Sequence, residues 1–96
     1  MNRADALKTL KSCRSELTTR YQVRELYLFG SFARDAQSNA SDVDMLVDFA
    51  PDASFFDLVR LALYLEEKLE RHVDVIPQDT LRSEIRDTVM RERVLV

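Results

Sequence analysis

The chain has one glycine, Gly30, standing directly before Ser31, and after a ten-residue gap it reads Asp42-Val43-Asp44. Glycine ordinarily makes up about 7% of a sequence, so a lone one marks a place where a side chain would obstruct. Leu26-Tyr27-Leu28-Phe29 before it reads as a strand, and Ser31-Phe32-Ala33-Arg34 after it as the first turn of a helix. A strand-to-helix junction without a Cβ lets an anion approach the backbone, where free helix N–H groups point at it. Asp42 and Asp44, two apart on the next strand, project to one face with about 6–7 Å between their Cα atoms. The pattern is a phosphate cradle beside a clamp for a divalent cation.

Such a clamp suits Mg²⁺, which takes octahedral oxygen coordination from one to three carboxylates, waters and substrate phosphate oxygens. Two ions about 3.5–4 Å apart activate an attacking hydroxyl and stabilise a departing phosphate in an in-line displacement. Asp42 and Asp44 share a face and can bridge both ions. Asp74 alternates with Val73 and Val75, leaves the apolar face, and can supply a third ligand or accept the proton of the attacking hydroxyl. Ser31 would donate its N–H and hydroxyl to the β/γ-phosphates, and Arg34 is a further phosphate candidate that could equally pair with a nearby acid. Taken singly, Gly-Ser is a common turn and Asp-x-Asp a solvated strand face. In this order on alternating elements they form one site, because Asp is disfavoured inside strands. Asp48 lies on the polar face but away from the rim, and reads as solvated. His72, the only histidine, reads as a surface residue at a strand start rather than a ligand.

The elements that must position these groups follow from periodicity. Residues 4–20 place Ala6, Leu10, Cys13 and Leu17 on one stripe, an amphipathic helix. Residues 23–29 form a buried strand, residues 31–36 a short helix and residues 37–41 a polar loop. Residues 43–49 form a strand with Val43, Met45, Val47 and Phe49 on one face and Asp44, Leu46 and Asp48 on the other. Pro51-Asp52 turns the chain, and Ser54-Phe55-Phe56-Asp57 is a capping box. It opens a helix whose core face holds Phe55, Leu58, Val59, Ala62, Leu65 and Leu69. Tyr27, Phe29, Phe32, Phe55 and Phe56 read as core packing. Val73 to Ile76 is a strand stopped by Pro77. Asp79 or Thr80 caps a last helix with Leu81, Ile85 and Val89 inward, and residues 94–96 finish as an edge strand. The order αβαβαβα predicts an α+β (or α/β) fold, one small mixed sheet flanked by helices. Three central strands then deliver Gly30-Ser31, Asp42 with Asp44, and Asp74 to one rim.

Ninety-six residues suffice for a single domain over residues 1–96, without a second core. Apolar residues at 46% and charged residues at 32% exclude a disordered chain, and apolar runs of four to five residues exclude a membrane span. The N-terminal segment is charged and amphipathic, without a signal-peptide core. With the lone Cys13, which excludes an internal disulfide, this predicts a cytoplasmic protein. Net charge is −3, and the 14 basic residues are dispersed. No basic stripe is present, so direct nucleic-acid binding is not expected. A triphosphate remains compatible, since the bound cation supplies local positive charge.

The stretch Leu28-Phe29-Gly30-Ser31-Phe32-Ala33-Arg34 through Ser41-Asp42-Val43-Asp44-Met45-Leu46-Val47 resembles the DNA-polymerase-β-type nucleotidyltransferase superfamily. Within it the chain is similar to the stand-alone minimal nucleotidyltransferases, and the likeness covers nearly its whole length. The resemblance implies the polymerase-β-like fold, a metal triad of Asp42, Asp44 and Asp74, and Gly30 and Ser31 as the triphosphate-binding pair. Asp35 departs from the family's usual glycine after the Ala-Arg pair. Asp tolerates a left-handed turn, so the fold should survive, with an added negative charge near the cradle. The resemblance further implies the antitoxin half of a toxin–antitoxin pair, in which AMP passes from ATP to a tyrosine of a helical HEPN-domain ribonuclease and silences it. A hetero-oligomer with that toxin is expected, since a 96-residue domain has no second lobe to cover the base and bind an acceptor.

Two other functions compete. A binding-only antitoxin would mask its toxin without nucleotide, but clustering carboxylates costs repulsion that a scaffold has no reason to bear. Nucleotidyl transfer to a small molecule such as an aminoglycoside would call for additional acceptor-binding structure. A neighbouring gene for a small helical protein with an Arg-x4-His motif would favour the first two functions over the third.

Overall fold

The structure, a computed structural model, describes residues 1–38 and 40–96. Asn39, in the expected polar loop, lies outside the described residues. The elements run α1 (Arg3–Ser12), α2 (Arg14–Tyr21), β1 (Val23–Phe29), α3 (Gly30–Ala33), β2 (Val43–Phe49), α4 (Phe55–Leu69), β3 (Val73–Pro77), a 3₁₀ turn (Gln78–Thr80), α5 (Ser83–Glu92) and β4 (Val94–Leu95). The sheet order is β3-β2-β1-β4. Strand β1 runs antiparallel to both β2 and β4, whereas β2 and β3 are parallel. This is a mixed sheet in an α+β fold.

Strand alternation divides the apolar residues between two faces. Leu26, Leu28, Val43, Met45 and Val47 pack under α1, α2 and α4 in the larger core. Tyr27 and Leu46 point the other way and form a smaller core with Leu81 and Val89. Asp44 and Asp74 alternate with Val43, Met45, Val73 and Val75, so they emerge on the smaller-core side.

The single helix expected over residues 4–20 is broken at Cys13, where φ is −98° and ψ is 0°. Its N–H turns back to Leu10 O at 3.0 Å, a tighter i−3 bond, and α2 restarts with Leu17 N–H on Cys13 O. The stripe survives the break: Ala6, Leu10, Cys13 and Leu17 are all buried. The short helix ends at Ala33 rather than residue 36, closed by Ala36 N–H on Ser31 O at 2.8 Å. Asp35 occupies the left-handed region there, with φ 56°, as expected of a residue standing for glycine. Its carboxylate accepts from Arg3 N–H at 3.2 Å, and the Arg3 guanidinium donates to Ala33 O. The start of α1 is thereby tied to the turn that closes α3.

Helix α4 departs from its expected core face. The box at its start forms, with the Asp57 carboxylate accepting from Ser54 N–H at 2.8 Å. Leu61, Leu65 and Leu69 are the buried residues, at i, i+4 and i+8, while Phe55, Phe56 and Val59 are exposed. Phe55 and Phe56 thus join neither the larger core, which holds Phe32, nor the smaller one, which holds Tyr27. Apolar residues at 55, 56, 58, 59, 61, 62 and 63 fall on both faces of the helix, so periodicity has little to choose between. Helix α5 is corrected likewise. It begins at Ser83, so neither Asp79 nor Thr80 caps it; the Thr80 hydroxyl donates to Pro77 O and closes the 3₁₀ turn. Leu81 is therefore extended, off the helical stripe, and Ile85 is exposed although Leu81 and Val89 are buried. Strand β4 is the edge strand expected of residues 94–96, shortened to Val94–Leu95 and paired with β1.

Candidate active site

Register brings the expected residues together. Phe29 at the end of β1 pairs across to Asp44, and Asp44 pairs in parallel register with Asp74. Gly30, Asp44 and Asp74 therefore lie side by side along one rim, with Ser31 following Gly30 into α3 and Asp42 just before β2. Asp42, Asp74 and His72 are exposed, while Asp44, Gly30 and Ser31 are half-buried.

Gly30 has φ 72°, and a Cβ built there would stand 2.4 Å from Asp44 Oδ2. The space that glycine leaves open is thus filled by the Asp44 carboxylate. The sequence reading assigned that space to a phosphate. The structure adds that Gly30 is also what lets Asp44 fold against the β1–α3 junction. A left-handed φ and a carboxylate in van der Waals reach both require glycine.

The electrostatics are those of crowded acids. Partial burial pushes the Asp44 carboxyl above the usual carboxylate range, and the charges of Asp74 and Asp42 add to the shift, with Arg34 opposing it. Arg34 is engaged with Glu92 of α5 at 3.2 Å between two largely exposed side chains, the structural pairing that its sequence left open. Oxygen and nitrogen ligand atoms of Asp42, His72 and Asp74 lie within 4.8 Å of one another. Two carboxylates and an imidazole are a donor set that fits a divalent cation, whose charge would also offset the crowding of acids around Asp44. Asp48 stays at the far end of β2, 4.0 Å from Arg24.

His72, exposed as expected at the start of the edge strand β3, nonetheless has its ring against the acids of this rim. Its Nδ1 is 2.8 Å from Glu66 Oε2 and its Nε2 is 3.0 Å from Asp74 Oδ1. The hydrogen bond to Asp74 raises the imidazole above its usual range, and the charges of Asp74, Asp42 and Glu66 reinforce the effect against a smaller desolvation penalty. Glu66 and Arg71 were also missed. Arg71 donates to Ser41 O at 3.2 Å with its guanidinium over the Phe32 ring, binding the entry of β3 to the entry of β2. One signal was present in the sequence: His72 and Asp74 are two apart, so they share a strand face. The Glu66 contact crosses from α4 and leaves no such trace.

An α+β domain with a Gly-Ser junction beside strand-borne acids is a nucleotidyl-transfer architecture. The chain matches the nucleotidyltransferase domain family over residues 10–96 and belongs to it. It is 41% identical over 87 residues to the protein adenylyltransferase MntA of Thermococcus cleftensis, covering 91% of this chain and 88% of that one. A solved structure described as a minimal nucleotidyltransferase superposes with a TM-score of 0.79 at 31% identity, covering 100% of this chain and 97% of the other. A toxin–antitoxin structure with AMP-PNP shares the fold, with a TM-score of 0.69 at 22% identity over 99% of this chain and 72% of that chain. The protein is an enzyme of the nucleotidyltransferase class. No helix among the described residues is long and apolar enough to cross a membrane.

Proposed function

We propose that this single-domain protein is an adenylyltransferase that moves AMP from ATP to a hydroxyl, a tyrosine, of a HEPN-domain ribonuclease toxin in the cytoplasm, and so acts as its antitoxin. The observation that carries the reading is the juxtaposition of Gly30, Asp44 and Asp74 on one open rim, in a chain 41% identical to a protein adenylyltransferase. Asp42, Asp44 and Asp74 would hold Mg²⁺, two ions in the full site. When bound, the metal would neutralise phosphate charge and lower the barrier to attack by a hydroxyl. Ser31 and the backbone N–H groups of the Gly30–Ser31 junction would bind the triphosphate tail, while the Cβ side of Gly30 is taken by Asp44. The acceptor oxygen forms a bond to the α-phosphorus as the bond to the β-phosphate oxygen breaks, and pyrophosphate leaves. The acceptor proton passes to a carboxylate of the rim, for which Asp74 is best placed by its exposure. Arg34, held by Glu92, reaches the triphosphate only by leaving that pair.

The open rim supports an acceptor that is itself a protein, since Asp42 and Asp74 are both exposed. A second observation favours a partner-binding surface separate from the rim. Phe55 and Phe56 are 73% and 76% exposed, and Val59 and Leu63 continue the apolar surface along α4. Helix α4 starts where β2 ends, so this surface lies away from the acid rim. It can hold a partner whether or not the rim is active.

Labelled ATP distinguishes transfer of AMP from other phosphoryl chemistry. With Mg²⁺ and the HEPN partner, label in the α-phosphate should move onto the partner and label in the γ-phosphate should leave as pyrophosphate. Retention of γ-label on the partner would overturn the reading.

A further inference from the structure

We infer that His72, anchored by Glu66, is a positioning residue that holds the Asp74 carboxylate in its metal-ready orientation; this rests on the reading of Asp74 as a metal ligand. The geometry runs as a chain from helix to rim. Glu66 Oε2 on α4 accepts from Val73 N–H at 3.1 Å and contacts His72 Nδ1 at 2.8 Å. The His72 carbonyl accepts from Val43 N–H at 3.0 Å, which fixes its backbone against the strand that carries Asp44. The ring, held at both its backbone and its Nδ1, then presents Nε2 to Asp74 Oδ1 at 3.0 Å.

Asp74 needs such a hold because its side chain is about half exposed (51%). An exposed aspartate rotates among several rotamers, and Asp74 sits beside like charges that favour its turning outward. With Oδ1 bound to the imidazole, the second oxygen is left to face the cation and the acceptor. Outer partners of this kind orient ligating carboxylates, and their loss typically costs about 10–100-fold in metal affinity or activity.

Mn²⁺ affinity, followed by electron paramagnetic resonance on the purified chain with AMP-PNP, tests this without a turnover assay. His72→Ala should weaken Mn²⁺ binding by about ten-fold or more, and His72→Gln, which keeps a donor, should recover most of it. In an Asp74→Asn background, His72→Ala should cause no further loss, because the ring acts through Asp74. Melting curves in EDTA confirm that each variant is folded, as an exposed side chain predicts. Wild-type or tighter Mn²⁺ binding by His72→Ala would overturn the inference, as would ring-nitrogen coupling to the ion, which would make His72 a ligand. If Asp74→Asn weakens binding but His72→Ala does not, the inference alone fails. If Asp74→Asn binds like wild type, the Asp74 assignment fails first.

Discussion

Gly30→Ala should be damaging for two separable reasons, and a double-mutant cycle can measure each. The first is backbone: at φ 72° an L-residue other than glycine is strained by about 1–2 kcal/mol. The second is the methyl group, which would stand 2.4 Å from Asp44 Oδ2. Ordinary contact requires the carboxylate to retreat by about 1 Å, and overpacking of this kind typically costs about 1–3 kcal/mol. Urea denaturation should therefore show Gly30→Ala destabilised by about 2–5 kcal/mol in the wild-type background. With Asp44→Ala already present the clash is gone, and the same substitution should cost only the strain, about 1–2 kcal/mol. The difference is the coupling between the two residues. An equal penalty in both backgrounds would refute the argument that Gly30 makes room for Asp44. In the single variant the displaced carboxylate should also lower transfer, about 100-fold for a shift of this size.

Three further outcomes follow from the same geometry. Because the Asp44 carboxyl is raised, the folded chain holds that proton more tightly than the unfolded one. The associated stability is complete below the ordinary carboxylate range and is lost as pH rises through the raised value. Asp44→Asn should consequently melt a few degrees higher than wild type in EDTA at neutral pH, with the gain vanishing in acid; a gain independent of pH would contradict this. Ser31→Ala should weaken ATP use by about ten-fold or more, through loss of a hydrogen bond to a charged oxygen, and unchanged ATP kinetics would count against the cradle. Phe56→Asp with Leu63→Asp should weaken partner binding by about 30-fold, the scale of one interface anchor, while leaving Mn²⁺ affinity alone; loss of both would place the contact at the rim.

The sheet and the acid rim were legible because period-2 alternation is strong in short strands. Residues 23–29 and 43–49 were bounded in the sequence as they are in the fold, and alternation alone put Asp44 opposite Met45 and Asp74 opposite Val75. Asp35 showed its turn geometry through the residue type that replaced glycine. What escaped was set by tertiary surroundings. The apolar run at the start of α4 looks like core, yet Phe55, Phe56 and Val59 are exposed. Leu81 fell off the helical stripe because the 3₁₀ turn after Pro77 delays the helix, and Ile85, one turn before the buried Val89, is left exposed in the first turn of α5. His72 was passed over since its meaning depends on Glu66, a residue on another element. The reason for Gly30 was half visible, because the φ demand follows from the junction and the Asp44 contact only from the register of β1 with β2.

The central claim is that neutralisation works by AMP transfer at the acid rim, and one comparison bears on it most directly. Wild-type and Asp42→Asn protein are each mixed with the HEPN partner, ATP and Mg²⁺ at matched, near-stoichiometric concentrations. Intact mass and ribonuclease activity of the partner are then read together. Wild type should add one or more AMP units and abolish the ribonuclease, while Asp42→Asn should bind the partner but leave both its mass and its activity unchanged. An Asp42→Asn protein that neutralises as well as wild type, with no added mass, would show that masking suffices and would contradict the account.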